Sequence, residues 1–209
     1  VPTRVFHITA IENLPLILAD GGLRCVSDLR QDGKAYASIA HSHLQDRRAT
    51  TPVPCGPGGL LHDYVPFYFA PRSPMLYSIH KGNVAGCSKS QKDIAYLVTS
   101  AELVRDHCDG FAFTDGHGIM QTTRFFNDLR HLKDNIDWQI MQAKFWRDTN
   151  EDPDRKRRRQ AEFLAFKFVP WSIIDSVAVM RAIDLAAIRR TLYDADHKTP
   201  VEAKPIWYY

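Results

Sequence analysis

The chain has 209 residues, long enough for one well-cored domain and short for two of ordinary size. Hydrophobic residues make up 44% and charged residues 24%, which excludes a wholly disordered or collagen-like chain. With 27 basic against 24 acidic residues the net charge is +3, too small to argue for a nucleic-acid partner, so the positions of the charges must carry that question. No stretch approaches the roughly 18 apolar residues of a membrane-spanning helix, and VPTRVFHIT lacks the basic-then-apolar layout of a signal peptide. A cytoplasmic protein without membrane contact is expected. Cys25, Cys55, Cys87 and Cys108 form no CxxC pair and read as small buried hydrophobes rather than disulfides or zinc ligands.

Residues 3–8 read as a strand, and Thr9 with Glu12 has the form of a capping box for the next helix. Leu14, Ile17 and Leu18 give that helix its apolar face, and Gly21 and Gly22 its stop. The segment PVPCGPGG, 52–59, excludes helix interior and central strand and reads as a long loop. Strands are predicted at 64–69 and 94–99, with PRSPMLYSI making a turn between them. A helix at 99–107 precedes FAFTDG, a strand ending in a turn. Ile136, Trp138, Ile140, Met141, Phe145 and Trp146 predict one core-facing helix over 134–147.

Asp152 and Pro153 look like the cap and first turn of a short, very basic helix. AEFLAFKFVP then predicts a strand with Glu162 at its entrance, followed by a strand near SVAVM, a helix near DLAAIRRTLYD, and PIWYY packing as a last strand. No internal repeat appears, and there is no clean βαβ alternation. The fold class is mixed α+β, in one domain spanning 1–209.

Several residues could carry chemistry. Glu162 opens an apolar strand, where an inward carboxylate needs partners; it is either a functional acid or a cap for the arginines before it. Arg155, Lys156, Arg157, Arg158 and Arg159 form the densest basic run, suited to phosphates. Asp148, Glu151, Asp152 and Asp154 precede it, so mutual neutralisation on a solvated face is an equal reading. His7 and Thr9, with Asn13, lie where a strand feeds a helix and polar groups can converge on a ligand, although Thr9 as a cap is a complete explanation too. Arg47 and Arg48 could hold a pyrophosphate or be a plain surface pair. The glycines of Asp115-Gly116-His117-Gly118 suit a tight backbone presenting His117. A metal site built on His41, His43, His62 or His80 is rejected, since no spacing completes one and no HExxH occurs. GxGxxG, GxxxxGK[ST] and GxSxG are also absent, so any enzyme here binds its substrate by another scheme.

Taken together, HITAIENLPLIL with GG, DRR before PVPCGPGGLLHDYVPFYFAPRSPMLYSI, DGHG, NIDWQIMQAKFW and RRRQAEFLAF resemble the DarT family of DNA ADP-ribosyltransferase toxins. The resemblance runs from residue 4 to about residue 180 and takes in the aromatic terminus. It implies a single ADP-ribosyltransferase-like domain with a split, bent β core. The implied activity is NAD-dependent attachment of ADP-ribose to a base, most often thymidine, in single-stranded DNA, in growth control or phage defence. NAD is then the ADP-ribose donor and no metal is needed. A DarG-like macrodomain antitoxin is the implied protein partner, and a monomer is expected.

Carried over residue by residue, the resemblance makes Glu162 the catalytic glutamate, with Arg48 and His117 beside it. His7, Thr9, Asn13, Arg48 and Tyr68 would contact NAD, Arg47 competing with Arg48. Met75, His117, Arg155, Arg157, Arg158 and Arg159, with Lys89 and Lys92, would line the DNA path. The alternatives are an NAD-dependent transferase acting on guanine, RNA or protein, and a nucleic-acid-binding module or partner protein without catalysis.

Overall fold

A computed structural model describes residues 2–209. The chain begins with β1 (Arg4–Ala10), α1 (Leu14–Ala19), β2 (Gly22–Arg24), α2 (Val26–Gln31) and α3 (Ser42–Arg48). After the 52–59 loop come β3 (Tyr64–Tyr68), α4 (Pro74–His80), β4 (Ile94–Ser100), α5 (Ala101–His107), β5 (Phe111–Thr114) and β6 (Phe125–Phe126). Short helices α6 (Leu132–Asn135), α7 (Trp138–Gln142) and α8 (Arg155–Arg158) lead to β7 (Glu162–Phe166), β8 (Phe168–Pro170) and β9 (Ser176–Val179). The last two elements are α9 (Leu185–Asp194) and β10 (Val201–Ala203).

Eight strands form one sheet in the order β10-β9-β4-β1-β3-β7-β5-β6, and β2 pairs with β8 in a separate ribbon. All neighbours are antiparallel except β9 and β10. The mixed α+β class with a split sheet is thus observed. The split lies between β1 and β3. β1 follows β4 from Arg4↔Ser100 to Ala10↔Ile94, but meets β3 only at Phe6↔Tyr68. Pro66 has no N–H to give β1, and its carbonyl accepts instead from the His7 side chain, Nδ1 to O 2.8 Å.

Alternation sets what faces where. Phe6, Ile8 and Ala10 pack with Leu76, Ile79, Tyr96 and Val98, while His7 and Thr9 carry the opposite parity. The main core gathers Val5, Phe67, Leu97, Phe113 and Phe163 under α1, α5 and α9. β7 runs beside β3 in the register Tyr68↔Glu162, which sets Glu162 at the mouth of the split.

Several expectations change. Thr9 stays in β1 and caps nothing; its hydroxyl accepts from Asn13 Nδ2 at 3.0 Å. PRSPMLYSI contains a helix, because Ser73 caps Leu76 N at 3.2 Å and Pro74 suits its first turn. The 134–147 stripe is two short helices: Asp137 accepts from Ile140 N at 2.9 Å and restarts the helix, leaving Phe145 76% exposed. Asp154, not Asp152, precedes α8, and Asp152 takes Arg158 Nη2 at 2.6 Å. The 161–170 strand breaks at Lys167, whose φ of 59° ends the ladder. Pro205–Trp207 make a 3-10 turn and no last strand forms; Tyr208 after it is buried, its hydroxyl donating to Ile94 O at 3.0 Å. All four cysteines are free; Cys25 is buried and the others are half-buried.

Candidate active site

A cleft of about 1270 Å³ opens at the split. His7, Thr9 and Asn13 line it from the first strand and the turn after it, Arg48 from the end of α3, Tyr68 from β3, and Glu162 from β7. Ordinary small-molecule pockets span about 300–1,000 Å³, so this one exceeds what a single drug-sized ligand needs.

Glu162 is 4% exposed. Oε2 accepts from Arg48 Nη1 at 2.7 Å and Oε1 from the Gly118 amide at 3.0 Å, while His117 Nδ1 stands 3.5 Å from Oε1. Its own backbone N–H donates to Thr114 Oγ1 at 2.9 Å, tying the start of β7 to the end of β5. Burial alone would raise the carboxyl pKa, but the Arg48 charge, His117 and the Gly118 amide outweigh it and hold it at about 2. A side chain at 118 would crowd this contact, since a Cβ there would lie 3.2 Å from both Oε1 and Leu61. One donor in the cluster, Arg48 Nη2, has no protein acceptor among the described residues.

On the facing wall, burial drives the His7 pKa down to about 4, only partly opposed by the Pro66 carbonyl. The ring is neutral at pH 7, and with Nδ1 donating to Pro66 its Nε2 is left as an acceptor. Tyr68 donates to Met75 Sδ at 3.4 Å, and burial pushes its phenol pKa far up, so it remains a neutral donor. Met75 lines the same cleft.

A family model for "ssDNA thymidine ADP-ribosyltransferase, DarT" matches residues 6–209. The chain belongs to the DarT family. A DNA ADP-ribosyl transferase of Thermus aquaticus is 41% identical over 211 aligned positions, covering 100% of this chain and 90% of that relative. Among solved structures, Thermus sp. 2.9 DarT in complex with ADP-ribosylated ssDNA superposes with a TM-score of 0.90 at 39% identity, over 100% of this chain and 97% of that one. The same DarT in complex with NAD+ gives a TM-score of 0.86 at 36% identity, over 100% and 98% of the two chains.

Beyond this DarT cleft the sequence-derived residues scatter. Asn13 is turned to the wall: its Nδ2 donates to Thr9 Oγ1 and Ala37 O, and its Oδ1 accepts from Ala37 N at 2.7 Å, pinning the 33–41 segment to β1. Lys89 pairs with Glu12 outside the cleft, and Lys92 also lies away from its lining. Arg159 is turned inward and corrects its placement on the DNA path. It is 5% exposed and donates to the carbonyls of Ile140, Met141, Pro71 and Arg72. Arg155 donates to Phe145 O and Arg147 O, and Arg158 pairs with Asp152 and Asp137. Arg157, at the cleft, is held by Asp154 and Asp115. The neutralised reading of the basic run therefore describes most of its side chains, while Lys156 and Arg147 line the cleft and are exposed.

Sequence reasoning missed two contributions. Gly118 acts through its backbone amide, which no residue-type search finds, although the glycines of DGHG signalled a close backbone approach. Arg47 also lines the cleft, and its Nη2 donates to Ile119 O at 2.9 Å, tying α3 to the 115–124 segment. Among the described residues no group of His, Cys, Asp and Glu is arranged to hold a metal ion.

Proposed function

We propose that this chain transfers ADP-ribose from NAD to thymidine in single-stranded DNA, with Glu162 as its catalytic carboxylate. The observation that carries the reading is the buried, ionised Glu162 facing a cleft lined by Arg48, His7 and His117. Cleaving the bond between nicotinamide and ribose places positive charge on the sugar. A fixed carboxylate stabilises that charge more in the transition state than in the ground state. Glu162 supplies it without reorganisation, because Arg48 and the Gly118 amide already hold both oxygens.

The remaining groups bind and orient. Arg48 keeps Nη2 free for a phosphate or hydroxyl oxygen of NAD, and His7 Nε2 accepts from a hydroxyl or carboxamide N–H. Thr9 and Tyr68 complete the donor side. The thymine ring nitrogen must lose its proton as the new bond to ribose forms, and nicotinamide leaves with the electron pair of the broken bond. A carboxylate at about 2 is a weak base alone, so we assign proton removal to Glu162 and His117 together, the carboxylate stabilising the charge gained by the imidazole. Single-stranded DNA suits this step, since pairing in a duplex would hide the ring nitrogen.

Lys156 and Arg147 are assigned to phosphates of the strand, and Met75 and His117 to the base. Both walls of the cleft come from one chain, which supports a single-domain, monomeric enzyme. NAD and DNA are held inside the cell, which supports a cytoplasmic site of action, and family membership supports a DarG-like macrodomain antitoxin as partner. The test is incubation with NAD and a mixed set of single-stranded oligonucleotides, beside Glu162→Gln, read by intact mass. An ADP-ribose increment is expected only on thymidine-containing strands, reduced about 10³-fold or more by the substitution. Transfer that survives Glu162→Gln undiminished, or strands lacking thymidine that react equally well, would refute the assignment.

A further inference from the structure

The proposed activity needs His117 and the Gly118 amide held against Glu162, yet neither sits on regular structure. Both belong to the 115–124 segment joining β5 to β6. That segment is fastened from one side by Arg157. Its Nε and Nη2 fork onto Asp154 at 2.7 and 2.8 Å, and its Nη1 donates to Asp115 Oδ1 at 2.9 Å and Thr123 Oγ1 at 3.3 Å. The Arg157 carbonyl accepts from His117 N at 3.1 Å, and Thr123 Oγ1 donates to His117 O at 2.8 Å. His117 is thus gripped through both of its backbone groups by residues of this cluster.

Asp115 is the other jaw. It is 6% exposed and also takes Arg124 N and Nε, each at 2.9 Å, closing the two ends of the segment on one another. Gly116 lets the guanidinium lie flat on the backbone between them: a Cβ at 116 would stand 2.2 Å from Arg157 Nη1 and 2.9 Å from its Cγ. Arg157, in α8, is also five positions before Glu162, the first residue of β7. The same stretch of chain therefore presents the carboxylate and the clamp that brings its partners to it.

We propose that Arg157, acting with Asp115, is a positioning residue that sets His117 and Gly118 against Glu162, and that it is not a phosphate contact. This deepens the activity proposed above and rests on it. All three nitrogens of the fork are engaged by protein acceptors, so a phosphate would have to displace a carboxylate to reach them. Lysine would keep the charge but has one nitrogen, which cannot hold Asp154 in a fork and reach Asp115 and Thr123 as well. Charge-conserving substitution therefore separates the two roles.

The experiment compares the unaltered protein with Arg157→Lys and with Gly116→Ala, which displaces Nη1 while leaving every charge in place. For each, kcat and KM for NAD are measured with a thymidine-containing strand, the strand's Kd is followed against salt, and hydrogen exchange of 115–124 is followed without substrate. The expected result is a kcat lower by about 10- to 100-fold, as for a reacting group misplaced by about 1 Å. KM and Kd should stay within about threefold and the salt slope unchanged. Exchange should quicken in 115–124 and not across β1, β4 and β9. A rise in Kd with a salt slope shallower by about one, and kcat intact, would make Arg157 a phosphate contact and overturn the proposal. So would faster exchange throughout the chain, which marks a general loss of structure. If the unaltered protein transfers nothing, the activity reading fails, while the exchange pattern still decides whether the clamp exists.

Discussion

Arg48 and Arg157 line the same cleft and each reaches a buried carboxylate, Glu162 at 2.7 Å and Asp115 at 2.9 Å. Arg157 then spends its other donors on Asp154, whereas Nη2 of Arg48 is buried with no protein acceptor among the described residues. A buried donor left unmade costs about 1–3 kcal/mol. A ligand can offset such a cost only where the donor belongs to a cleft, as at Arg48; Nε of Arg159 is likewise without an acceptor, but that side chain lies outside the cleft lining. In a cleft rich in cations, the unspent donor rather than the positive charge marks where a substrate oxygen is received.

The comparison breaks most sharply at Arg48. Arg48→Lys keeps a charge near Glu162 but removes the second arm, and transfer should fall by about 10²-fold with weaker NAD binding. Thermal unfolding should change little, because the substitution also removes the unsatisfied donor; a large loss of stability with NAD binding intact would make Arg48 a structural residue like Arg157.

Arg159 tests the opposite extreme, a guanidinium enclosed by carbonyls. Arg159→Met should cost about 3 kcal/mol, since the carbonyls of Pro71, Arg72, Ile140 and Met141 lose their shared donor. Denaturant titration should show a lower midpoint with an unchanged slope. An unshifted midpoint would mean that water replaces the guanidinium without loss, and that α7 and the 71–72 turn are not held by it.

The most gradual effect is a pH dependence. His7 and His62 are each held at about 4, chiefly by burial, against an ordinary value of 6.5. The unfolded chain therefore binds more protons than the folded one between those limits, and stability should fall as pH drops from 6.5 towards 4. Glu162 adds a second loss below its ordinary 4.5, as the pH falls towards 2. His62→Gln should flatten the upper part of this profile in pH-dependent thermal melts; an unchanged slope would show that the His62 ring takes up its proton as readily in the folded chain as in the unfolded one.

Much of this was legible before any coordinates. Glu162 and Arg48 sit at the end of a strand and of a helix and His117 between two glycines, features that a sequence displays, whereas His7 reaches the same cleft from the middle of β1. The basic run was legible as a run but not as a set of directions. On a four-residue helix each successive arginine points elsewhere, and the partners that claim them, Asp115, Asp137 and the 140–141 carbonyls, come from distant segments. The 134–147 stripe is broken for a local reason: Asp137 caps the helix that restarts at Trp138, and apolar spacing alone does not display a cap. The Asn13 contact failed for a non-local one: its partner, the Ala37 backbone, lies 24 residues away.

Pro66 directs its carbonyl to β1, and in an antiparallel strand the amide nitrogen of the same residue points to the same side. Any other amino acid at this position would offer β1 a hydrogen there, inviting the two half-sheets to zip together where they now part. The opening that admits substrate is thus maintained by an atom the chain omits.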